Sequence, residues 1–326
     1  MKKRRLGKSG IPVSEIGLGC WQIGGEWATV RDDVAREILR SADEAGISFW
    51  DTADVYGGGR SETRIGQFIR CCASPPVVAS KVGRDSALYP GGYSKPGVRK
   101  NIEGSAKRLG VDCIDLVQLH CVPPDVLKAG DLLAWMEDFQ QQGLIRSLGA
   151  SVETLDEALF AVRHPTLTSL QIIFNLFRQD AATELLPAAV ANDVGIIVRL
   201  PLASGVLSGK MRHGQQFAAT DHRQFNRNGE AFSQGETFSG IAFDRAVDLA
   251  AEISAWVPAG MSMAQMAMRW ILDHAAVSTV ITGVSRPEQA IENAKVSDLP
   301  PLSKQLHDKL GDFYEREVAA EIRVPV

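Results

Sequence analysis

Short apolar runs alternate with amphipathic segments along the whole chain. The runs are almost uniformly apolar, which is typical of parallel strands that are buried on both faces. Between the runs, apolar residues recur at three- and four-residue spacing, as Val34, Ile38 and Leu39 do, and this spacing predicts helices. The pattern predicts eight strands, over residues 15–19, 47–53, 76–82, 113–120, 145–151, 169–175, 195–201 and 278–284.

Eight strand–helix units in 326 residues favour an α/β fold, a (β/α)₈ TIM barrel that forms one domain over residues 1–326. An open, doubly wound sheet is the alternative, because connectivity alone does not distinguish the two. Residues 4–17 predict an N-terminal β-hairpin that closes the bottom of the barrel, and the residues after the last strand predict a C-terminal helical extension. The polar, glycine-rich stretch 209–240 is a long loop, and such loops are more often functional than not.

Composition and charge narrow the classes of partner. The formal net charge is -4, and without a basic run the sequence does not predict nucleic-acid binding. No uninterrupted apolar stretch of about 18 residues occurs, so no membrane partner is expected. The basic start MKKRR lacks the apolar run of a secretory signal, and the five cysteines form no CxxC pair. We expect a cytoplasmic protein without a metal site that acts on small molecules, and the sequence predicts no oligomeric state.

Polar residues stand at the carboxyl ends of successive predicted strands, where a barrel carries its catalytic groups. Each has an ordinary structural explanation when it is taken alone, such as a helix cap, a loop aromatic or a core histidine. Their occurrence on neighbouring strands favours a shared site. These residues are Asp51, Tyr56, Lys81, His120, Ser151 and Gln171.

The apolar neighbours of Lys81 predict that its ammonium group is buried, which requires a carboxylate nearby. Asp51 lies on the adjacent predicted strand and would supply it. An ammonium group against the hydroxyl of Tyr56 would lower the pKa of this phenol from about 10 and make it a general acid. His120 would donate a hydrogen bond to a carbonyl oxygen. A Schiff base on Lys81 is an alternative chemistry, but pairing with Asp51 would keep the lysine protonated.

Six segments in this order resemble the aldo-keto reductase family over essentially the whole chain. They are DTADVYGGGRSE, VVASKVG, DCIDLVQLH, GLIRSLGAS, LQIIFNLFRQ and PLASGVLSGK. The resemblance implies reduction of an aldehyde or ketone, or the reverse reaction. It implies a catalytic tetrad in which Tyr56 donates the proton, Lys81 activates it, Asp51 pairs with the lysine and His120 orients the carbonyl. Some proteins of this fold serve instead as NADP-sensing regulatory subunits, and this function remains an alternative.

No Rossmann-type glycine fingerprint is present, since GLGCWQIGG lacks the third glycine. The resemblance implies an extended NADP(H) across the mouth of the barrel. Arg286, beside a helix N-terminus, would pair with a 2′-phosphate, which favours NADPH over NADH. The cofactor contacts that the resemblance implies are Trp21, Asp51, Ser151, Gln171 and Arg199 near the nicotinamide, Ser204, Gly205 and Leu207 at the pyrophosphate, and Ser285, Arg286, Gln289 and Asn293 at the adenosine.

Several positions depart from the family pattern. Val152 replaces an asparagine, and Arg199 replaces the aromatic residue that usually stacks on the nicotinamide. We expect the Arg199 guanidinium to stack there instead and to place a positive charge beside the hydride donor, which would alter the reactivity of the nicotinamide or attract an anionic substrate. Gly283 and Gln289 replace basic residues near the adenosine, which keeps NADH possible. Candidate walls of a substrate pocket are Trp21, Trp27, Tyr89, Tyr93, Cys121 and Val122.

Overall fold

A closed barrel of eight parallel strands forms the centre of the molecule in the computed structural model, which describes residues 1–25 and 30–326. An antiparallel pair, β1 (Lys3–Arg5) and β2 (Pro12–Ser14), precedes it. The barrel strands are β3 (Ile16–Gly19), β4 (Phe49–Asp51), β5 (Val77–Val82), β6 (Leu116–His120), β7 (Leu148–Ser151), β8 (Ser169–Ile173), β9 (Gly195–Arg199) and β10 (Val277–Gly283). The order around the barrel is β10-β3-β4-β5-β6-β7-β8-β9, so the last barrel strand pairs with the first.

Helices follow the barrel strands and form the outer layer, where their apolar faces pack against the sheet. The described residues form α1 (Asp32–Glu44), α2 (Arg60–Ile69), α3 (Lys95–Leu109), α4 (Pro124–Ala129), α5 (Asp131–Gln141), α6 (Leu155–Ala161), α7 (Leu185–Ala191), α8 (His222–Phe225), α9 (Phe243–Ser254), α10 (Met263–Leu272), α11 (Pro287–Ala294) and α12 (Lys304–Phe313). No helix among them is long and apolar enough to span a membrane.

The eight predicted strands are confirmed, as are the N-terminal hairpin and the C-terminal helices. Several strands are shorter than the apolar runs that predicted them. Residues 113–115 and 145–147 lie outside β6 and β7, and their backbones pair through the isolated bridge between Ile114 and Ile145. The strand predicted to reach residue 201 ends at Arg199, because Leu200 has a positive φ of 54° and leaves the extended conformation.

The hairpin closes the bottom of the barrel, which is the end where the parallel strands begin. Leu6 and Val13 are fully buried there, and they pack against Phe49, Leu116 and Ile197 from the interior of the barrel. Hydrogen bonds fix the hairpin to the last strand, β10, and to the turn before β9. The Lys8 amide donates to the Asp193 carbonyl over 2.7 Å, and the Ser278 hydroxyl donates to the Arg5 carbonyl over 2.8 Å.

Gly7 permits this close approach. Its φ is 49°, and a Cβ atom would lie 2.4 Å from both the Gly195 nitrogen and the Thr168 oxygen. No other residue type fits this position without a shift of the backbone.

The opposite end of the barrel, where the strands finish, is covered in part by residues 209–240. This segment contains the short helix α8 and two 3₁₀ turns, Gln234–Glu236 and Phe238–Gly240. Phe238 is fully buried and its ring packs against Phe243 at a centroid distance of 4.8 Å. The loop predicted from polar composition is therefore anchored to the barrel through its second half.

Candidate active site

The four residues predicted as catalytic converge at the carboxyl end of the barrel. Asp51 ends β4, Lys81 is the fifth residue of β5, His120 ends β6, and Tyr56 lies in the turn between β4 and α2. Lys81 is 1% exposed, and its Nζ atom donates to Asp51 Oδ1 over 2.5 Å and to Tyr56 Oη over 3.2 Å. A third bond, to the carbonyl of Thr52 over 2.8 Å, uses the remaining donor of the ammonium group.

The second carboxylate oxygen of Asp51 is held by two glutamines. Asp51 Oδ2 accepts from Gln118 Nε2 over 3.0 Å and from Gln171 Nε2 over 2.8 Å. Sequence reasoning missed Gln118, although a signal existed. Gln118 lies two positions before His120 on the same strand, so the alternation of side chains points both toward the same side of the sheet.

Burial and the ion pair act in opposite directions on Lys81. Burial is the largest single effect and lowers its pKa, but the charge of Asp51, the nearby Tyr56 and the hydrogen bonds to both together outweigh it and leave the pKa of Lys81 raised. The lysine therefore stays protonated, as the pairing predicted.

The expected lowering of the Tyr56 pKa is wrong. Burial raises the pKa of Tyr56 to about 12, and the charge of Lys81, which does lower it, is the smaller effect. A phenol that is enclosed by protein loses more solvation as a phenolate than one neighbouring ammonium group restores.

His120 is a neutral imidazole at this site. Burial lowers its pKa well below the ordinary value, and the positive charges of Lys81, Arg84 and Arg199 lower it further. Its ring stands edge-on to the Tyr56 ring, at a centroid distance of 5.9 Å. Its Nδ1 atom is buried and has no hydrogen-bond partner among the described residues.

The charge of Arg199 is compensated within the protein, so the expectation that it would attract an anionic substrate is not supported. Its Nη1 atom pairs with the carboxylate of Glu236, and its Nη2 atom donates to the Val152 carbonyl over 2.8 Å. The Arg199 Nε atom is buried and has no acceptor among the described residues. Sequence reasoning missed Glu236, because it stands 37 residues after Arg199 in a segment without periodicity.

These groups surround a cavity of about 480 Å³. One wall is aromatic, and there the Trp21 ring stacks on the Tyr56 ring at a centroid distance of 5.9 Å. Another wall carries the ion pair between Arg84 and Glu153, whose atoms are 2.6 Å apart. The lining residues are Trp21, Val55, Tyr56, Arg84, His120, Cys121, Ser151, Glu153, Gln171, Arg199, Phe225, Ala231, Phe232 and Glu236.

Of the predicted pocket walls, Trp21 and Cys121 line the cavity. Val122 is buried in the core, and Trp27 lies outside the described residues. The Tyr93 hydroxyl donates to the Gly83 carbonyl over 2.9 Å. Tyr89 lies at the surface, with the Arg84 guanidinium 4.8 Å from the centre of its ring.

A second groove, of about 540 Å³, begins where β9 ends. Five of the residues predicted to contact a cofactor line it, namely Ser204, Gly205, Ser285, Arg286 and Gln289.

Of the residues predicted at the pyrophosphate and the adenosine, two do not line this groove as the described residues define it. Leu207 is fully buried in the core, and Asn293 lies on α11 away from the groove. Gln289 accepts hydrogen bonds from the Ser285 and Arg286 amides over 2.8 Å and 3.1 Å, and it therefore fixes the start of α11.

Metal ligation has no support in the described part of the chain. No group of three or more histidine, cysteine, aspartate or glutamate residues in this part could hold a metal ion.

The chain is similar over nearly all of its length to proteins of one family. Residues 15–315 match the model of the Aldo/keto reductase family. A probable voltage-gated potassium channel subunit beta from Oryza sativa subsp. japonica is 29% identical over 95% of this chain and 95% of that protein. A solved aldo-keto reductase from Bacillus halodurans, in its holo form, is 26% identical, with a TM-score of 0.77 over 96% of both chains. The glycerol dehydrogenase from Gluconobacter oxydans is 26% identical, with a TM-score of 0.78 over 100% of this chain and 97% of that one.

Proposed function

Because the chain belongs to the aldo/keto reductase family of oxidoreductases, we propose that it reduces an aldehyde or a ketone to an alcohol, or catalyses the reverse reaction, with a nicotinamide cofactor. The observation that carries this proposal is the contact of one buried ammonium group, Lys81, with both Asp51 and Tyr56 at the edge of an open cavity. The proposal treats residues 1–326 as one catalytic domain.

Tyr56 is the proposed general acid. Its pKa of about 12 keeps the phenol protonated at neutral pH, so a proton is available when negative charge develops on the carbonyl oxygen. The Lys81 ammonium group then stabilises the phenolate that remains. Asp51 keeps Lys81 charged, and the amides of Gln118 and Gln171 keep the Asp51 carboxylate in position.

His120 has a different proposed task. Because its pKa is well below the ordinary value, the imidazole is neutral and is a poor proton donor at neutral pH. A neutral ring still carries one N–H group, which can bond to the carbonyl oxygen. We assign His120 to orient the carbonyl toward Tyr56, whose ring it faces.

The residues that are present fit a nicotinamide dinucleotide. Two cavities adjoin at the end of β9, and at the first of them buried nitrogens of His120 and Arg199 have no hydrogen-bond partner within residues 1–25 and 30–326. When bound, the reduced nicotinamide would supply the hydride. We assign Trp21, Ser151, Gln171 and Arg199 to the nicotinamide end, Ser204 and Gly205 to the pyrophosphate, and Ser285, Arg286 and Gln289 to the adenosine.

NADPH is the proposed cofactor over NADH. Arg286 is the N-cap residue of α11 and lines the second groove, so its guanidinium and the helix N-terminus both favour a phosphate there. Asp221, which also lines the groove, already forms an ion pair with Arg223. Its negative charge is therefore compensated.

A cofactor-binding regulatory subunit is a second candidate, which the similarity to the rice channel subunit favours. Such a protein would retain the cofactor residues but turn over no carbonyl compound. A Schiff-base reaction on Lys81 is less compatible with the site, because the raised pKa of Lys81 keeps the amine from acting as a nucleophile.

The test is the Tyr56→Phe variant with a panel of aldehydes, ketones and aldoses and with both cofactors. We expect carbonyl reduction to fall by about 10²–10⁴-fold, because the proton donor is removed. Cofactor affinity, followed by quenching of tryptophan fluorescence, should stay within about twofold, since the substitution removes only the hydroxyl that bonds to Lys81 and keeps the ring that lines the cavity.

Tyr93→Phe is the matched control, because the Tyr93 hydroxyl bonds to the Gly83 carbonyl and does not line the cavity. This variant should keep its activity. Full activity of Tyr56→Phe would contradict the proposal. Tight cofactor binding by the wild type without turnover of any compound in the panel would favour the regulatory candidate.

A further inference from the structure

Arg199 and Glu236 form an ion pair inside the first cavity. Arg199 is 7% exposed, and the Glu236 side chain is 18% exposed. Burial lowers the pKa of Arg199, but Glu236 and its other neighbours outweigh this effect and leave the pKa raised, so the guanidinium is a permanent cation. A cation at this depth is expensive to bury unless a partner neutralises it, and Glu236 is that partner.

The pair lies where the nicotinamide end of a bound cofactor would be. Arg199 lines the first cavity, and the residues that directly follow it, Leu200, Pro201 and Leu202, line the second. A dinucleotide that spans both cavities therefore passes Arg199 at the end of β9. The first cavity also contains Tyr56 and His120, so it is the cavity that receives the reacting ring.

The two redox states of this ring differ in charge. Oxidised nicotinamide carries a positive charge on its ring, and reduced nicotinamide is neutral. A neighbouring charge on the protein therefore changes the affinities for the two states by different amounts. An uncompensated arginine beside the ring would favour the reduced cofactor, and an uncompensated glutamate would favour the oxidised one.

We propose that Glu236 is a specificity-determining residue that sets the relative affinity for oxidised and reduced cofactor by cancelling the charge of Arg199. The inference rests on the proposed function. It gives the loop 209–240 a role in the chemistry of the site, because this loop supplies the negative member of the pair while β9 supplies the positive one.

The backbone holds Glu236 in place independently of its carboxylate. The Ser204 hydroxyl donates to the Glu236 carbonyl over 3.0 Å and accepts from the Phe238 amide over 3.2 Å. These bonds remain in a Glu236→Gln variant, in which the side chain keeps its size and loses only its charge. The substitution therefore isolates the electrostatic contribution.

The experiment measures the dissociation constants of NADP⁺ and NADPH by tryptophan fluorescence at pH 8 for the wild type and two variants. Glu236→Gln should raise the ratio of the NADP⁺ constant to the NADPH constant by about ten- to thirtyfold, since a buried positive charge is left beside the oxidised ring. Arg199→Gln should lower the same ratio, because the Glu236 carboxylate then remains without its partner.

Glu153→Gln is the matched control. It removes one negative charge from the same cavity, but Glu153 pairs with Arg84 and both side chains are more exposed than Arg199. The ratio of the NADP⁺ to the NADPH dissociation constant in this variant should stay within about threefold of the wild-type ratio. If Glu236→Gln does not fold, Arg199→Gln and the double variant Arg199→Gln/Glu236→Gln carry the test, and the double variant should return the ratio to near the wild-type value.

Opposite shifts in the two single variants would support the inference. A ratio within about threefold of the wild type in both, or shifts in the same direction, would overturn it while leaving the proposed function intact. Failure of the wild type to bind either form of the cofactor would overturn the proposed function, and this inference with it.

Discussion

Replacing Asp51 with asparagine should destabilise the protein by about 3–5 kcal/mol at pH 7, because it leaves the buried ammonium group of Lys81 without its counter-charge. Lys81 is almost fully buried and loses the negative charge of its partner, while an asparagine Oδ1, the Thr52 carbonyl and the Tyr56 hydroxyl can still accept its hydrogen bonds. Asparagine keeps the shape of the side chain, so packing changes little. Its NH₂ group cannot accept the hydrogen bonds that Gln118 and Gln171 donate to the carboxylate, so the loss combines one buried charge with these two bonds.

The difference between wild type and variant should depend on pH. In the wild type the pKa of Lys81 is raised above the unfolded value of about 10.4, so its contribution is fully present below that pH and is lost as pH rises through the folded pKa. In the variant only burial acts strongly on Lys81, and its folded pKa falls. The folded variant then binds fewer protons than the unfolded chain, so its stability rises with pH. The free energies of unfolding of the wild type and the variant therefore converge toward pH 10.

Urea unfolding followed by tryptophan fluorescence at pH 7, 8, 9 and 10 measures this difference. Asp193→Asn is the control, since Asp193 pairs with Arg5 at the surface and should contribute less than about 1 kcal/mol. In the double variant Asp51→Asn/Lys81→Met no buried charge remains, and part of the stability should return. Equal stability of Asp51→Asn and wild type at pH 7, or a difference that does not change with pH, would refute the reasoning.

Two further predictions concern Asp54, a buried carboxyl group three residues after the end of β4, and Arg286 in the second groove. Burial, with the nearby charge of Glu62, raises the pKa of Asp54 to about 7, so the folded state holds a proton between about pH 4 and pH 7 that the unfolded chain has released. The free energy of unfolding of the wild type should therefore decrease as the pH rises through this window. In urea unfolding, Asp54→Asn should gain on the order of 2–4 kcal/mol of stability relative to the wild type between pH 4 and pH 8. A difference that does not change with pH would contradict the assigned pKa. Arg286→Ala should weaken NADPH binding by about tenfold and leave NADH binding nearly unchanged in fluorescence titrations, whereas equal weakening of both would remove Arg286 from the phosphate site.

The fold could be predicted because the apolar runs of the barrel strands are nearly continuous. Each run is also followed by a segment in which apolar residues recur at helical spacing. The ends of the strands were harder to predict, since an apolar residue does not mark where the backbone turns. Leu200 is apolar and continues the run GIIVRL, but its positive φ ends the strand one residue earlier. Only the packed structure determines this conformation.

The contacts among Asp51, Tyr56 and Lys81 could be predicted because neighbouring parallel strands bring their carboxyl ends together. Glu236 could not, since nothing in a polar loop indicates which residue will fold back to meet Arg199. The predicted lowering of the Tyr56 pKa was wrong for a related reason. The proximity of Lys81 to Tyr56 can be inferred from the sequence. The extent to which Tyr56 is buried cannot, and this burial has the larger effect on the pKa of Tyr56.

The hairpin at the bottom of the barrel also has a consequence for how this protein is made. Its first residues form hydrogen bonds with Asp193 and Ser278, which the ribosome delivers much later. The hairpin, although it is synthesised before the barrel strands, therefore lacks these hydrogen-bond partners until residue 278 has emerged. Its fixation to the last strand is a late step of biogenesis.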